Sequence, residues 1–123
     1  MLKATLGDEV EERIDKIYDE VSESQKIRAR CRKAWEVEPF LEMKKAQFKI
    51  VVDLANLSEL LNHFKRNKKK ILSIYVYNDE GENGFRKAMN YKKETKKIKE
   101  ISPSIDHLLR KAEKVIDHQV DEN

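Results

Sequence analysis

Three histidines and one cysteine are the residues of this 123-residue chain best suited to hold a metal or begin covalent chemistry. His63, His107 and His118 stand far apart, and neither a His-Glu-x-x-His nor a Cys-x-x-Cys pattern occurs. Glu59 and His63 are four residues apart, as are His118 and Glu122, so each pair would share one face of a helix. A pair does not complete a zinc site, which needs at least three protein ligands. Cys31 lies in Arg28-Ala29-Arg30-Cys31-Arg32-Lys33, where cations would favour the thiolate. No histidine lies near it in sequence to act as a base, and its place on an apolar stripe reads as a packed thiol. The carboxylates of Glu11-Glu12 and Asp19-Glu20 are adjacent, so on a helix they point apart and make poor acid–base pairs. Three glycines leave no room for a phosphate-cradling loop. The expectation is a protein without catalytic residues, without a metal and without a cofactor.

Charge is the more informative signal. Charged residues make up 40% of the chain, against about 25% in an average globular domain. The net charge of +3 conceals a steep gradient, because residues 65–99 alone carry twelve bases and four acids. The bases form two clusters: Lys65, Arg66, Lys68, Lys69 and Lys70, then Arg86, Lys87, Lys92, Lys93, Lys96 and Lys97, with Lys99 beyond. Between them Asn78-Asp79-Glu80-Gly81 signals a turn. If the elements on either side of it run antiparallel, both clusters meet on one surface. Tyr75, Tyr77, Phe85 and Tyr91 interleave with the bases. Such a surface attracts phosphates regardless of base sequence, and Tyr75, Tyr77 and Tyr91 are candidates to stack on unpaired bases. Two accounts compete with this one. Lysine-rich helix faces are often only solvated surface, and the acids of the first helix are positioned to neutralise the patch within the chain or between copies.

The elements that must position these residues read as helices. Gly and Pro are scarce, so an all-β fold lacks its turns. Val10, Ile14, Ile17 and Val21 follow a helical period, extending to Trp35 after a shift in phase, which predicts a first helix over 8–35. From Phe40 the period strengthens. Ile50, Leu54, Leu57, Leu61, Phe64, Lys68, Ile71 and Tyr75 alternate steps of four and three, a heptad seam interrupted only by Lys68. Unbroken to Tyr77, that second helix would be about 57 Å long. A seam of this length implies a partner helix, and Ile50, Leu54, Leu57, Leu61, Phe64 and Ile71 are the residues of an expected homo-oligomer contact. A third helix over 85–100 and a last one over 105–120 follow, the latter capped by Ser104.

The fold expected over residues 1–123 is therefore one all-α domain, a bundle of about four helices with the second one long. The alternative is α+β with a β-hairpin near 70–92, because Ile71-Leu72-Ser73-Ile74-Tyr75-Val76-Tyr77 is β-branched and aromatic. No apolar run reaches the roughly 20 residues of a membrane span, and nothing near Met1 resembles a signal peptide, so a cytoplasmic address is expected. The expected function is non-enzymatic nucleic-acid binding by an oligomer. The second expectation is a small helical adaptor or inhibitor that docks its Ile71–Tyr77 surface on a protein, with the basic rim meeting an acidic patch. The third is a subunit of a larger assembly.

Overall fold

A computed structural model describes residues 2–17, 29–33, 35–36, 39, 48–65 and 71–112 of the chain. Five strands form one parallel sheet, joined by helices. In chain order these are β1 (Leu2–Leu6), α1 (Asp8–Ile17), β2 (Ala29–Cys31), β3 (Phe48–Asp53), α2 (Leu54–Phe64), β4 (Ile71–Tyr77), α3 (Gly81–Glu94) and β5 (Ile98–Ser102). Residues 105–112 form a further helix, α4. The sheet order is β2-β1-β3-β4-β5. Ala4 pairs with Ala29 on one side and Ile50 on the other, Ile50 with Ile74, and Ile74 with Ile98.

This architecture overturns the all-α bundle. The long second helix is overturned, because its described residues are divided among β3, α2 and β4. The first helix ends its described run at Ile17, and β2 lies inside the stretch expected to be helical. The third helix is displaced, spanning Gly81–Glu94, and its expected end is β5. The hairpin alternative is corrected as well. Residues 71–77 are a strand, but their partners are parallel, and 85–91 is helical. The helix expected from 105 is present over 105–112.

The physical cause lies in burial. A parallel sheet covered on both faces is built from strands that are apolar on both sides, so their sequence runs lose the alternation that marks a strand. β3 is buried at every position, and β4 at all but one. In such runs some apolar residue is available at every phase. Ile50, Ile71 and Tyr75 thus extended the true helical period of α2 into the strands on either side.

The order of the strands also sets which helix covers which face. Parallel crossovers are right-handed, and the chain steps from β1 one way to β2 and from β3 the other way to β4 and β5. Helices made in opposite directions must lie on opposite faces. The core divides accordingly. Leu57 and Leu60 of α2 and Ala88 of α3 pack with Ile50, Val52, Ile74, Val76 and Ile98. Val10 and Ile14 of α1 and Leu108, Leu109 and Ala112 of α4 pack with Val51, Tyr75 and Tyr77. Buried Lys49 faces this second layer and donates from Nζ to the Ala112 carbonyl at the end of α4's described residues. No helix among the described residues is long and apolar enough to cross a membrane.

Candidate functional site

In open α/β sheets, ligands characteristically bind beyond the carboxyl ends of the strands, where the order reverses. Here that point lies between β1 and β3. Gly7 turns the chain from β1 into α1 with φ of 124°, and a side chain there would overlap the Asp53 carboxylate. Asp53 closes β3 and is 1% exposed. Its Oδ2 accepts from the Glu9 backbone N–H at 3.3 Å, and its Oδ1 accepts from the Asn56 N–H at 3.1 Å and Asn56 Nδ2 at 2.7 Å. The first-turn amides of a helix such as α1 are a ready anion site. The protein's own carboxylate already occupies that position.

The rest of this carboxyl-terminal edge is acidic. Burial raises the Asp53 pKa, Asn56 and the Glu9 amide draw it back, and the charge of Asp8 adds to the rise. Glu9 is raised by its partial burial, then by the charges of Asp79 and Asp53, a hydrogen bond with Asp79, and the charge of Glu80. Asp8 is answered by Arg32 at 3.2 Å and Lys33 at 3.9 Å. Glu11 is buried and accepts from Thr5 Oγ1 at 2.8 Å. Despite this crowding, no group of three or more Asp, Glu, His or Cys side chains among the described residues is arranged to hold a metal ion. A cavity of about 390 Å³ opens further along the edge, lined by Asn78, Asp79, Gly81, Glu82, Phe85 and Pro103. Asn78 shapes it, donating to the Gly81 carbonyl and accepting from the Glu80 N–H, each at 3.0 Å. The sequence reading passed over Asp53 and Gly7. Their signal was available, since Asp53 ends an apolar run and Gly7 directly precedes a helix start.

The amino-terminal edge has the opposite character. Because β4 and α3 run antiparallel, the end of α3 returns to the edge where β4 begins. Lys65 closes α2, its N–H bonded to the Leu61 carbonyl, and Ile71 opens β4. Lys92 and Lys93 occupy the last turn of α3, where cations are favoured by the helix dipole. The turn into β5 is held by Lys97 N–H to Thr95 Oγ1 at 3.2 Å and by Ile74 N–H to the Lys97 carbonyl at 2.8 Å. Lys65, Lys92, Lys93, Lys96 and Lys99 are exposed and Lys97 is half-buried. Among the described residues none of these six is in an ion pair. Of the described acids of α1, Asp8, Glu9 and Glu11 are engaged at the far edge. Lys87 is also exposed, further up α3, and Arg86 there is paired with Glu82 at 3.1 Å. Arg66, Lys68, Lys69 and Lys70 lie outside the described residues.

The stacking expectation needs correction. Tyr75 and Tyr77 are 0% and 1% exposed in the core beneath α1 and α4. Ser73 Oγ donates to the Tyr75 hydroxyl at 3.1 Å, and Arg13 Nε to the Tyr77 hydroxyl at 3.1 Å. Tyr91 is half-buried against the other core layer. Phe85 is exposed, but at the acidic cavity. The oligomer seam is corrected by the same burial. Ile50, Leu57 and Ile71 belong to one intramolecular core, with Leu54 and Leu61 packed against it. Phe64 ends α2, and its side chain is outside the described set. The Ile71–Tyr77 docking surface is likewise an interior strand.

Cys31 is buried at the end of β2, and burial, reinforced by Glu36 and Glu11, pushes its thiol up to about 11. A thiol held neutral is inert, in keeping with a packing role. His107 faces Glu100 at 3.5 Å on the surface. His118 and the side chain of His63 lie outside the described residues. Compared with models of known families, with curated proteins and with solved structures, the chain matches none.

Proposed function

We propose that this protein binds nucleic acid, without catalysing a reaction on it, through the lysines of its amino-terminal sheet edge. The observation that carries the reading is the gathering of Lys65, Lys92, Lys93, Lys96 and Lys97 where α2 ends and α3 turns into β5, with no ion pair to any of them among the described residues. A phosphate backbone is the ligand that rewards several unneutralised cations along one edge, because each contact releases a condensed counterion. Buried Tyr75 and Tyr77 remove most of the stacking expected from the sequence, so the contact is to phosphates and tolerant of base sequence. The carboxyl edge works against a mononucleotide site, since Asp53 takes the Glu9 amide of α1 and Glu9 and Asp79 repel further anions.

The test is a titration of labelled single- and double-stranded DNA and RNA at two salt concentrations. Affinity should fall steeply with salt, with a slope near 0.9 per duplex phosphate contacted. Replacing Lys92, Lys93, Lys96 and Lys97 with Glu should weaken binding by about a hundredfold or more while circular dichroism stays unchanged. No binding of any probe at low salt would overturn the proposal.

A further inference from the structure

The cavity at the carboxyl edge of β4 and β5 is an apolar slot with an acidic rim. Phe85, 45% exposed, and Pro103 supply apolar wall, and Asp79 and Glu82 stand at its mouth. Glu82 is answered by Arg86, whereas Asp79 is in no ion pair among the described residues and shares a hydrogen bond with Glu9. Such a slot suits a lysine side chain. The methylene stem would lie along the aromatic and proline surfaces, and the ammonium would meet the rim.

The same β4-α3-β5 unit carries the complementary group at its other end. Lys92, Lys93, Lys96 and Lys97 sit at the carboxyl end of α3, whereas the cavity is built around its amino end. Fourteen helical residues separate the two ends, a rigid span of about 21 Å. No lysine of that cluster can therefore reach the slot of its own chain. We infer that the chain associates head to tail, the lysine edge of one copy seating a side chain in the Asn78–Phe85–Pro103 cavity of a second copy. Unlike surfaces at opposite ends make a heterologous contact, which extends copy by copy unless a rotation closes it into a ring. The inference goes beyond the nucleic-acid reading and draws on the same lysines, so nucleic acid and a second copy compete for them. Nucleic acid at low salt should then dissolve the assembly.

Two neutralised variants isolate the two ends. Lys92→Gln, Lys93→Gln, Lys96→Gln and Lys97→Gln together remove the edge; Asp79→Asn with Phe85→Ser removes the slot. The readout is sedimentation velocity at low and high salt, with circular dichroism confirming the fold. The wild-type chain should show concentration-dependent mass at low salt that collapses at high salt. Each variant alone should be monomeric, and an equimolar mixture should give a dimer and nothing larger, since each partner retains one working end. The slot variant should still bind nucleic acid, whereas the edge variant should lose both activities. A wild-type chain that is monomeric at every salt and concentration overturns the inference and leaves the nucleic-acid reading standing. So does an oligomer that survives both sets of substitutions. Self-association without binding of any nucleic acid would overturn the earlier reading and leave this one.

Discussion

The two edges of the sheet are built by the same β-α-β units and differ in everything that decides what they can touch. At the carboxyl edge the chain turns sharply from strand into helix. Gly7 lets the Asp53 carboxylate approach closely, and that carboxylate satisfies the amides of Glu9 and Asn56. The polar groups there are spent on one another, and the surplus charge is negative. At the amino edge helices end and strands begin, and among the described residues Lys65, Lys92, Lys93, Lys96 and Lys97 are in no ion pair. Location at the ligand-binding end of an α/β sheet does not by itself make a site for an anion. The amides must also be vacant.

Breaking the closed edge should have the largest effect. Gly7→Ala places a methyl group in the space of the Asp53 carboxylate at a φ that side chains avoid. We expect a loss of about 3 kcal/mol or more in urea denaturation, the range of a combined strain and broken-network lesion. If stability is retained, the carboxylate is not held as described. Next comes the open edge. The four-lysine substitution by Glu should lower the salt slope of duplex binding by about 3 to 4 and the affinity by about a hundredfold or more, with an unchanged melting temperature. A stability loss equal to that of Gly7→Ala would erase the distinction between the edges.

Smaller effects sharpen the contrast. Tyr77→Phe removes the hydroxyl that accepts from Arg13 and should cost about 1 kcal/mol, while leaving nucleic-acid binding as it was. Reduced binding would return Tyr77 to the stacking role its burial denies it. The smallest change is expected from Glu9→Gln. Its carboxyl pKa is raised in the folded protein, so the folded chain holds a proton that the unfolded chain has lost. Wild-type stability from this group therefore rises as pH falls through the raised value and levels off below the ordinary glutamate range. At pH 7 the glutamine variant should melt slightly higher than wild type, and the two should converge at pH 4. A lower melting temperature at pH 7 would mean that the Glu9 charge is not crowded.

Much of the chain was legible before the fold was known, though unevenly. Residues 54–64 read as helix and are helix, and the run from 105 is helical through 112, because amphipathic periodicity on a one-sided helix survives in any tertiary context. The segment 71–77 read as a strand on propensity, and the heptad reading overrode it because one strand without a visible partner is not a structure. Its partners were invisible for separate reasons. β1 and β2 have five and three residues, and β3 is buried on both faces. Two candidate stacking residues and three seam residues were misplaced by the same circumstance, since Tyr75, Tyr77, Ile50, Leu57 and Ile71 carry the composition of a surface seam and occupy an interior.

The amino-acid sequence determined where the charge lies along the chain, which residues are apolar, and that metal-ligand and phosphate-loop patterns are missing. These are properties of single residues and short spacings, and folding does not alter them. Only the tertiary structure decided that β4 is parallel to its neighbours, that α3 carries Lys92 and Lys93 back beside the start of β4, and that Asp53 takes the Glu9 amide of α1. Each of those facts joins residues distant along the chain, and strand pairing follows from burial of both sheet faces together, a condition no local window contains.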